Sequence, residues 1–409
     1  MLNLDKNKNY LLACSFGPDS MALFYMLLKE GFRFSVTHVN YHLREESNNE
    51  TKGLIEYCDK NNIQYYICDV KEKIKNNIEE RCREIRYQFF HDVFEKEQKF
   101  DALLVAHHQD DLLETYLLQK QRKILPHHYG LSEKTTLFGI PVIRPLLGYK
   151  KANLLELCTT FFIPHAFDSS NFLDIFARNK IRHEVVEKMT ENERKEMLKK
   201  IEKDNSVLES AYKKLGSLNE LSNRQILELE PIVYRLYLNR LAKEIQPDFE
   251  VSSNIANEIK KVLLSDKPNV QMKVSKNLDF VKEYETCYFD FPNSQFDYQY
   301  LLERPAQLDT PYFYLDFTNG ASNRNVTDDE YPLTIRNVQI EDVAFIKDYP
   351  VKVRRLFIDW KMPTSLRKRW PVILNKDNRI IYIPRYRKNF VPNEQSNFYV
   401  KKRFSLKKR

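Results

Sequence analysis

Tyr10-Leu11-Leu12-Ala13-Cys14-Ser15-Phe16-Gly17-Pro18-Asp19-Ser20 runs from a short apolar segment through a turn into Ser20 to Lys29, where Met21, Leu23, Phe24, Leu27 and Leu28 recur at helical spacing. A continuous apolar run of this length suits a strand buried on both faces, and the periodic stretch suits a helix packed against it. The turn between them aims backbone N–H groups and hydroxyls at the positive end of the helix dipole, where an anion is favoured. Ser15 and Ser20 add donors, and Gly17 allows close approach of the backbone. An ordinary capped turn accounts for the same residues about as well, and no Gly-Lys-Ser/Thr follows to make a Walker loop.

Outward from this junction the alternation repeats. Phe34–Val39, Tyr65–Cys68 and Ala102–Ala106 read as strands, and Asn49–Asn61, Asn77–Glu97 and Asp110–Gln121 as helices. The rhythm predicts an α/β, Rossmann-like domain with a parallel sheet, whose ligands lie beyond the carboxyl ends of the strands. At 409 residues the chain exceeds one hydrophobic core. We expect a catalytic domain over 1–183, a helical connector over 184–218, a mainly helical domain over 219–300 and a small mixed α+β domain over 328–409. Pro231 and Pro247 are expected to interrupt the helices between Ser206 and Leu264.

Charge is unevenly placed. The chain carries +8 in all, yet from Ile346 to Arg409 nineteen Lys or Arg face only Asp348, Asp359, Asp377 and Glu394, so the remainder is mildly acidic. A basic appendage on an acidic body suits a polyanion partner; a solvated lysine-rich surface explains it equally. Six cysteines without a CxxC spacing, no signal-peptide pattern and no apolar run approaching a bilayer span point to a cytoplasmic protein without a membrane partner.

A second cluster is Ala106-His107-His108-Gln109-Asp110-Asp111-Leu112-Leu113-Glu114-Thr115, again at a strand end entering a helix. Asp110 and Glu114, four apart, share a helical face, and His107 precedes them. Such acids hold Mg²⁺ against phosphates, receive an ammonium group or orient a base; a helix N-terminus complemented by acids explains one or two of them, not the whole group. A third is Asp168-Ser169-Ser170-Asn171 followed by Arg178-Asn179-Lys180-Ile181-Arg182, whose two arginines can grip a phosphate or carboxylate.

In order and spacing these pieces resemble the tRNA(Ile)-lysidine synthase family of the PP-loop (N-type ATP pyrophosphatase) group. The family's Ser-Gly-Gly-x-Asp-Ser loop corresponds to Ser15 to Ser20, and its His-Val-Asn segment to His38-Val39-Asn40 with Arg44 and Ser47 beyond. Its Arg-x-x-Arg-Tyr segment corresponds to Arg83 to Tyr87, its His-x-x-Asp-Asp block to His107 through Thr115, and its Arg-Pro-Leu-Leu to Arg144 to Leu147. The likeness continues through Leu229 to Arg235 and Val351 to Tyr386. Departures are Phe16 for the loop's first glycine, Tyr41-His42 for His-Gly, Leu112 for Gln, and the loss of a glycine-rich run before Gly130.

The resemblance implies a PP-loop catalytic domain followed by a helical domain and a basic C-terminal domain. It implies ATP with Mg²⁺, free lysine and tRNA(Ile) with a CAU anticodon, joined through an adenylated cytidine to give lysidine. It places Ser15, Phe16, Gly17, Pro18, Asp19, Ser20 and His38 at the nucleotide, and Asp110 and Asp111 at the metal. Asp110, Asp111, Glu114 and Arg178 become catalytic, and His107, Arg178 and Arg182 contact substrate. Competing readings are another PP-loop tRNA-modifying enzyme, such as a thiolase, and a non-catalytic tRNA-binding protein with a decayed loop.

Overall fold

The computed structural model describes residues 1–43, 45–71, 77–123, 125–166, 176–292, 296–318, 326–346, 348–386 and 398–401. Arg44, Asp168 to Asn171 and much of the basic C-terminal tail, all singled out above, lie outside them. The chain divides into two compact units, Met1–Ser210 and Ala211–Arg409.

In the first unit the elements are β1 (Asn9–Ala13), α1 (Pro18–Glu30), β2 (Arg33–Asn40), α2 (Ser47–Lys60), β3 (Tyr65–Asp69), α3 (Ile78–Glu97), β4 (Ala102–Val105), α4 (Gln109–Gln121), β5 (Lys134–Leu137), β6 (Ile140–Ile143), α5 (Lys151–Thr160), α6 (Phe176–Ile181) and α7 (Glu191–Gly216), the last crossing into the second unit. The sheet order is β3-β2-β1-β4-β6-β5. All pairs are parallel except β5 with β6. The period of two along the strands divides the core. Tyr10 and Leu12 join Met21, Phe24, Leu154 and Cys158 on one face, while Leu11, Leu103 and Val142 join Tyr87, Phe90 and Val93 of α3 on the other. The chain leaves β1 in one direction to β2 and β3, then returns to its other side as β4. The carboxyl ends of β1 and β4 therefore flank the point where strand order reverses, the place such sheets use for ligands. The antiparallel β5–β6 hairpin, absent from the sequence expectation, turns on Phe138 and Gly139, both at positive φ.

The second unit holds α8 (Asn223–Leu227), α9 (Pro231–Lys243), α10 (Ser253–Leu264), β7 (Asn269–Lys273), β8 (Asp279–Glu283), β9 (Thr286–Asp290), β10 (Gln299–Leu302), β11 (Gln307–Asp309), β12 (Phe313–Asp316), β13 (Leu333–Asn337), β14 (Val343–Ile346), β15 (Tyr349–Lys352), α11 (Val353–Asp359), α12 (Thr364–Arg367), β16 (Pro371–Leu374), β17 (Ile380–Tyr382) and β18 (Phe398–Val400). The helices break at both prolines: Pro231 opens α9, because the first helical position needs no N–H partner, and Pro247 lies between α9 and α10. Sheets β10-β13-β16-β17 and β11-β12-β18 share a core around Phe313, Phe357 and Trp370. Two of this unit's arginines serve its interior. Arg369 is fully buried, paired with Asp290 at 2.8 Å and lying 4.1 Å from the Phe296 ring, and Arg336 pairs with Asp342 at 2.7 Å.

Candidate active site

The turn after β1 is organised by its own hydroxyls. Ser15 N–H donates to Ser20 Oγ at 3.2 Å, Ser20 Oγ–H donates to the Gly17 carbonyl at 3.0 Å, and Gly17 N–H reaches Ser15 Oγ at 3.4 Å. Gly17 stands at the N-cap of α1 without a side-chain cap and Pro18 fills the first turn, so the helix end keeps donors for an anion. Phe16 has φ of 65°, a left-handed conformation that explains why glycine suits this position. Its ring does not fill the turn. It is buried against Gly53 of α2, so close that a methyl group on Gly53 would lie 2.7 Å from Phe16 Cζ. The bulk of Phe16 is thereby removed from the phosphate side.

His38, buried at the end of β2, braces this turn. Burial lowers its basicity, so it is neutral. Nδ1–H then donates to the Cys14 carbonyl at 2.8 Å, and Nε2 lies 3.0 Å from Thr51 Oγ, whose hydroxyl also reaches the Ser47 carbonyl. Both ring nitrogens are spent on the protein.

The turn after β4 is built from charge. His108 caps α4: its Nδ1 accepts from Asp110 N–H, and its own N–H donates to Asp111 Oδ2 at 3.0 Å, a reciprocal capping box. His108 Nε2 lies 3.4 Å from Asp111 and 3.6 Å from Asp19 Oδ2, bridging the two turns. Burial pushes His108 down, but the hydrogen bond to Asp19 and the charges of Asp111, Asp19 and Asp110 outweigh it, leaving a net rise. For Asp111, burial acts upward, and the His108 charge, the His108 backbone N–H and the Arg178 guanidinium hold it lower. Asp19 Oδ1 is buried without a hydrogen-bond partner.

Three acids of α4 have three fates. Asp110 turns to Arg194 of α7, 2.5 Å away, whose other nitrogen donates to the Val186 carbonyl. Glu114, fully buried, accepts from Arg178 Nε at 2.9 Å and Arg182 Nε at 2.6 Å. Asp111 receives Arg178 Nη2 at 3.2 Å and is the one acid of the three that lines the cavity between the turns. That cavity, about 330 Å³, is also lined by Ser15, Asp19, Ser20, His38, His107, His108 and Arg182, with Arg83 and Arg86 of α3. The last two are exposed and make no ion pair among the described residues; Arg83 lies 5.0 Å from the Tyr87 ring. His107 accepts from Arg144 Nε at 3.1 Å, and burial first, then neighbouring arginines, push it down to about 4. It is a neutral imidazole with its remaining N–H available.

Of the sequence-selected residues, Phe16, Gly17 and Pro18 shape the turn without lining the cavity, and the others fall into two groups. Ser15, Asp19, Ser20, His38, His107, Asp111 and Arg182 meet at one cavity, with Arg178 holding Asp111 beside it, while Asp110 and Glu114 are occupied in ion pairs away from its lining. Sequence reasoning missed His108, whose signal was an N-cap position three residues before an acid. It also missed Arg194, which nothing local marks.

Residues 1–189 match the family model described as the PP-loop domain. The chain is 30% identical to the tRNA(Ile)-lysidine synthase of Mycoplasma mycoides, over 93% of its own length and 98% of that protein. The chain belongs to the tRNA(Ile)-lysidine synthase family. The enzyme of that name from Bacillus subtilis is 27% identical over 94% of this chain and 91% of its own. The Ureaplasma parvum one reaches 39% over 44% of this chain and 56% of its own. In the long matches the likeness spans both compact units, and the PP-loop match contains the whole cavity.

Proposed function

We propose that this family member joins lysine to carbon 2 of the wobble cytidine of tRNA(Ile) with a CAU anticodon, at the expense of ATP, which becomes AMP and pyrophosphate. The supporting observation is the pairing, across one cavity, of an anion-receptive turn with an acid cluster held by arginines. Ser15 to Ser20 receive the phosphates of ATP. The cytidine oxygen at carbon 2 attacks the α-phosphorus, pyrophosphate leaves, and the lysine ε-amine displaces AMP from the activated carbon. A neutral His107, its acceptor nitrogen held by Arg144, presents its N–H without adding a charge. Asp111, the acid on the cavity lining, supplies an acceptor for a lysine ammonium group, for which Arg178 now stands in, and Glu114 holds Arg178 and Arg182 in place behind it.

Mg²⁺ fits Asp19 and Asp111 better than Asp110. No group of three ligating side chains is assembled among the described residues, and Mg²⁺ at nucleotides is ordinarily held by one or two carboxylates plus phosphate oxygens. The partnerless Asp19 Oδ1 meets that requirement, while Asp110 is committed to Arg194. When bound, the ion neutralises charge on the phosphates.

The exposed cations Arg83 and Arg86 of the cavity lining would meet RNA backbone, and exposed Arg354 and Arg355 of α11 belong to the basic C-terminal unit that we assign to tRNA. We assign the protein to the cytoplasm, on six free thiols; no described helix is long and apolar enough to cross a membrane. Thiolation is the disfavoured reading, because burial raises all six thiols, Cys14 beside the cavity to about 11, so none rests as a thiolate. Incubating the full chain with ATP, labelled lysine and a CAU-anticodon tRNA(Ile) transcript should label the RNA in proportion to AMP formed. Label-free RNA together with no ATP–pyrophosphate exchange would end the enzymatic reading.

A further inference from the structure

The β5–β6 hairpin carries a residue at odds with its own turn. Leu137 and Ile140 are paired, leaving a two-residue loop of Phe138 and Gly139 with φ of 50° and 80°. Both signs fit the turn type in which Asn-Gly is favoured, because a side chain with a Cβ is strained at positive φ and asparagine tolerates it best. A phenylalanine there carries a steric penalty, and burial does not offset it, since Phe138 is 51% exposed.

The ring nonetheless has an aromatic partner. It stacks on Tyr87 with centroids 5.1 Å apart and planes 15° from parallel. Tyr87 is buried and lines the cavity, and Arg83 and Arg86 of the same helix line its mouth. The result is a layered edge: cavity, Tyr87, then an outward ring with exposed cations nearby. Strained backbone, an exposed aromatic and two exposed guanidinium groups without an ion pair among the described residues together suit a nucleotide better than a protein segment. The ring offers a face for a base, and the arginines offer partners for its phosphate.

We propose that Phe138 is a stacking platform for an unpaired base of the RNA substrate, next to the nucleotide to be modified, with Arg83 and Arg86 holding adjoining phosphates. The inference rests on the RNA-substrate reading above. The base belongs to RNA and not to ATP, because Phe138 lies one ring layer behind the Tyr87 wall of the cavity that takes ATP.

The test is Phe138→Asn, with Phe138→Trp beside it, both in the full chain. Asparagine suits the turn, so its melting temperature should match or exceed that of wild type. We expect KM for a CAU-anticodon tRNA(Ile) transcript to rise about tenfold, within the range set by loss of one stacked base. KM for ATP should be unchanged, and tryptophan should keep RNA binding near wild type. An unchanged KM for RNA in Phe138→Asn overturns the proposal while leaving the activity standing. A parallel fall in ATP affinity measured without RNA overturns it in favour of a ring that merely shapes the nucleotide cavity. Wild-type protein that binds no RNA overturns both this proposal and the reading beneath it.

Discussion

The two strand-to-helix turns that face each other across the cavity solve the same problem by opposite means. The turn after β1 has one charged group, Asp19, and a set of hydroxyl and backbone contacts of 3.0 to 3.4 Å. The turn after β4 and its helix are saturated: Asp110, Asp111 and Glu114 are answered by Arg194, Arg178 and Arg182. A ligand reaching the first turn adds contacts to groups that are under-used. A ligand reaching the second must exchange places with an arginine. Under the proposed reading the first therefore suits a binding surface, and the second is an electrostatic clamp, whose acids are paired with arginines that a cationic ligand would have to displace.

The sharpest way to break this contrast is Glu114→Gln. Glu114 is fully enclosed, and neutralising it leaves two guanidinium groups facing an amide. Loss of one partner from a buried ion pair is expected to reduce stability by about 3–5 kcal/mol, visible in urea melts. Displacement of Asp111 through Arg178 should lower lysine incorporation by about a hundredfold. An active, stable variant would show that the buried charge pairs of Glu114 neither hold the fold nor set the position of Asp111.

Next in size is a split between adjacent acids. Asp110→Asn weakens a buried pair with Arg194 and should reduce stability by about 2–3 kcal/mol, with KM for ATP held near wild type. Asp111→Asn should reverse the pattern, losing lysine incorporation about a hundredfold with a small change in melting. Equal effects on stability and activity in both variants would erase the distinction between a structural and a reacting carboxylate.

How far this was readable in advance follows from the range of each cause. Strand and helix order around β1 to α4 was legible because period two and period 3.6 are local properties, and β1 is apolar on both faces. The turn at Ser15 to Ser20 was legible for the same reason. Phe16 was misleading as a composition cue: its backbone obeys the glycine requirement while its ring leaves through the notch made by Gly53, 37 residues on. The division of labour among the α4 acids was not legible. It depends on Arg194, Arg178 and Arg182, which arrive from other helices, so equal spacing on one face says nothing about which acid is claimed. The hairpin after Gly130 was missed because Phe138-Gly139 lacks the Asn or Asp that marks such turns.

A smaller effect separates the histidines. His107 is held neutral, its basicity down to about 4 against an ordinary 6.5. Between those values the unfolded chain binds a proton that the folded chain refuses, so this contribution to stability is full above pH 6.5 and is lost as pH falls toward 4. His107→Asn keeps an acceptor for Arg144 Nε and cannot titrate. Its stability should therefore fall less steeply than that of wild type over this window, by on the order of 2–3 kcal/mol at the acid end. Identical pH profiles in urea melts would mean that Arg144 and burial do not set the charge of His107.

The mildest expected effect belongs to the under-used turn itself. Ser20 Oγ accepts from Ser15 N–H and donates to the Gly17 carbonyl, so it fixes the curvature that points the turn's remaining donors at a phosphate. Removing it in Ser20→Ala leaves Met21 N–H bonded to the same Gly17 carbonyl at 3.0 Å, so α1 should start where it does now. The loss should be close to one ordinary hydrogen bond, about 1 kcal/mol in stability. It should appear mainly as a rise in KM for ATP of about tenfold, the equivalent of roughly 1.4 kcal/mol, with KM for RNA unchanged. A KM for ATP that does not move would mean that the phosphates are held elsewhere, and the contrast between the two turns would then lose its chemical meaning.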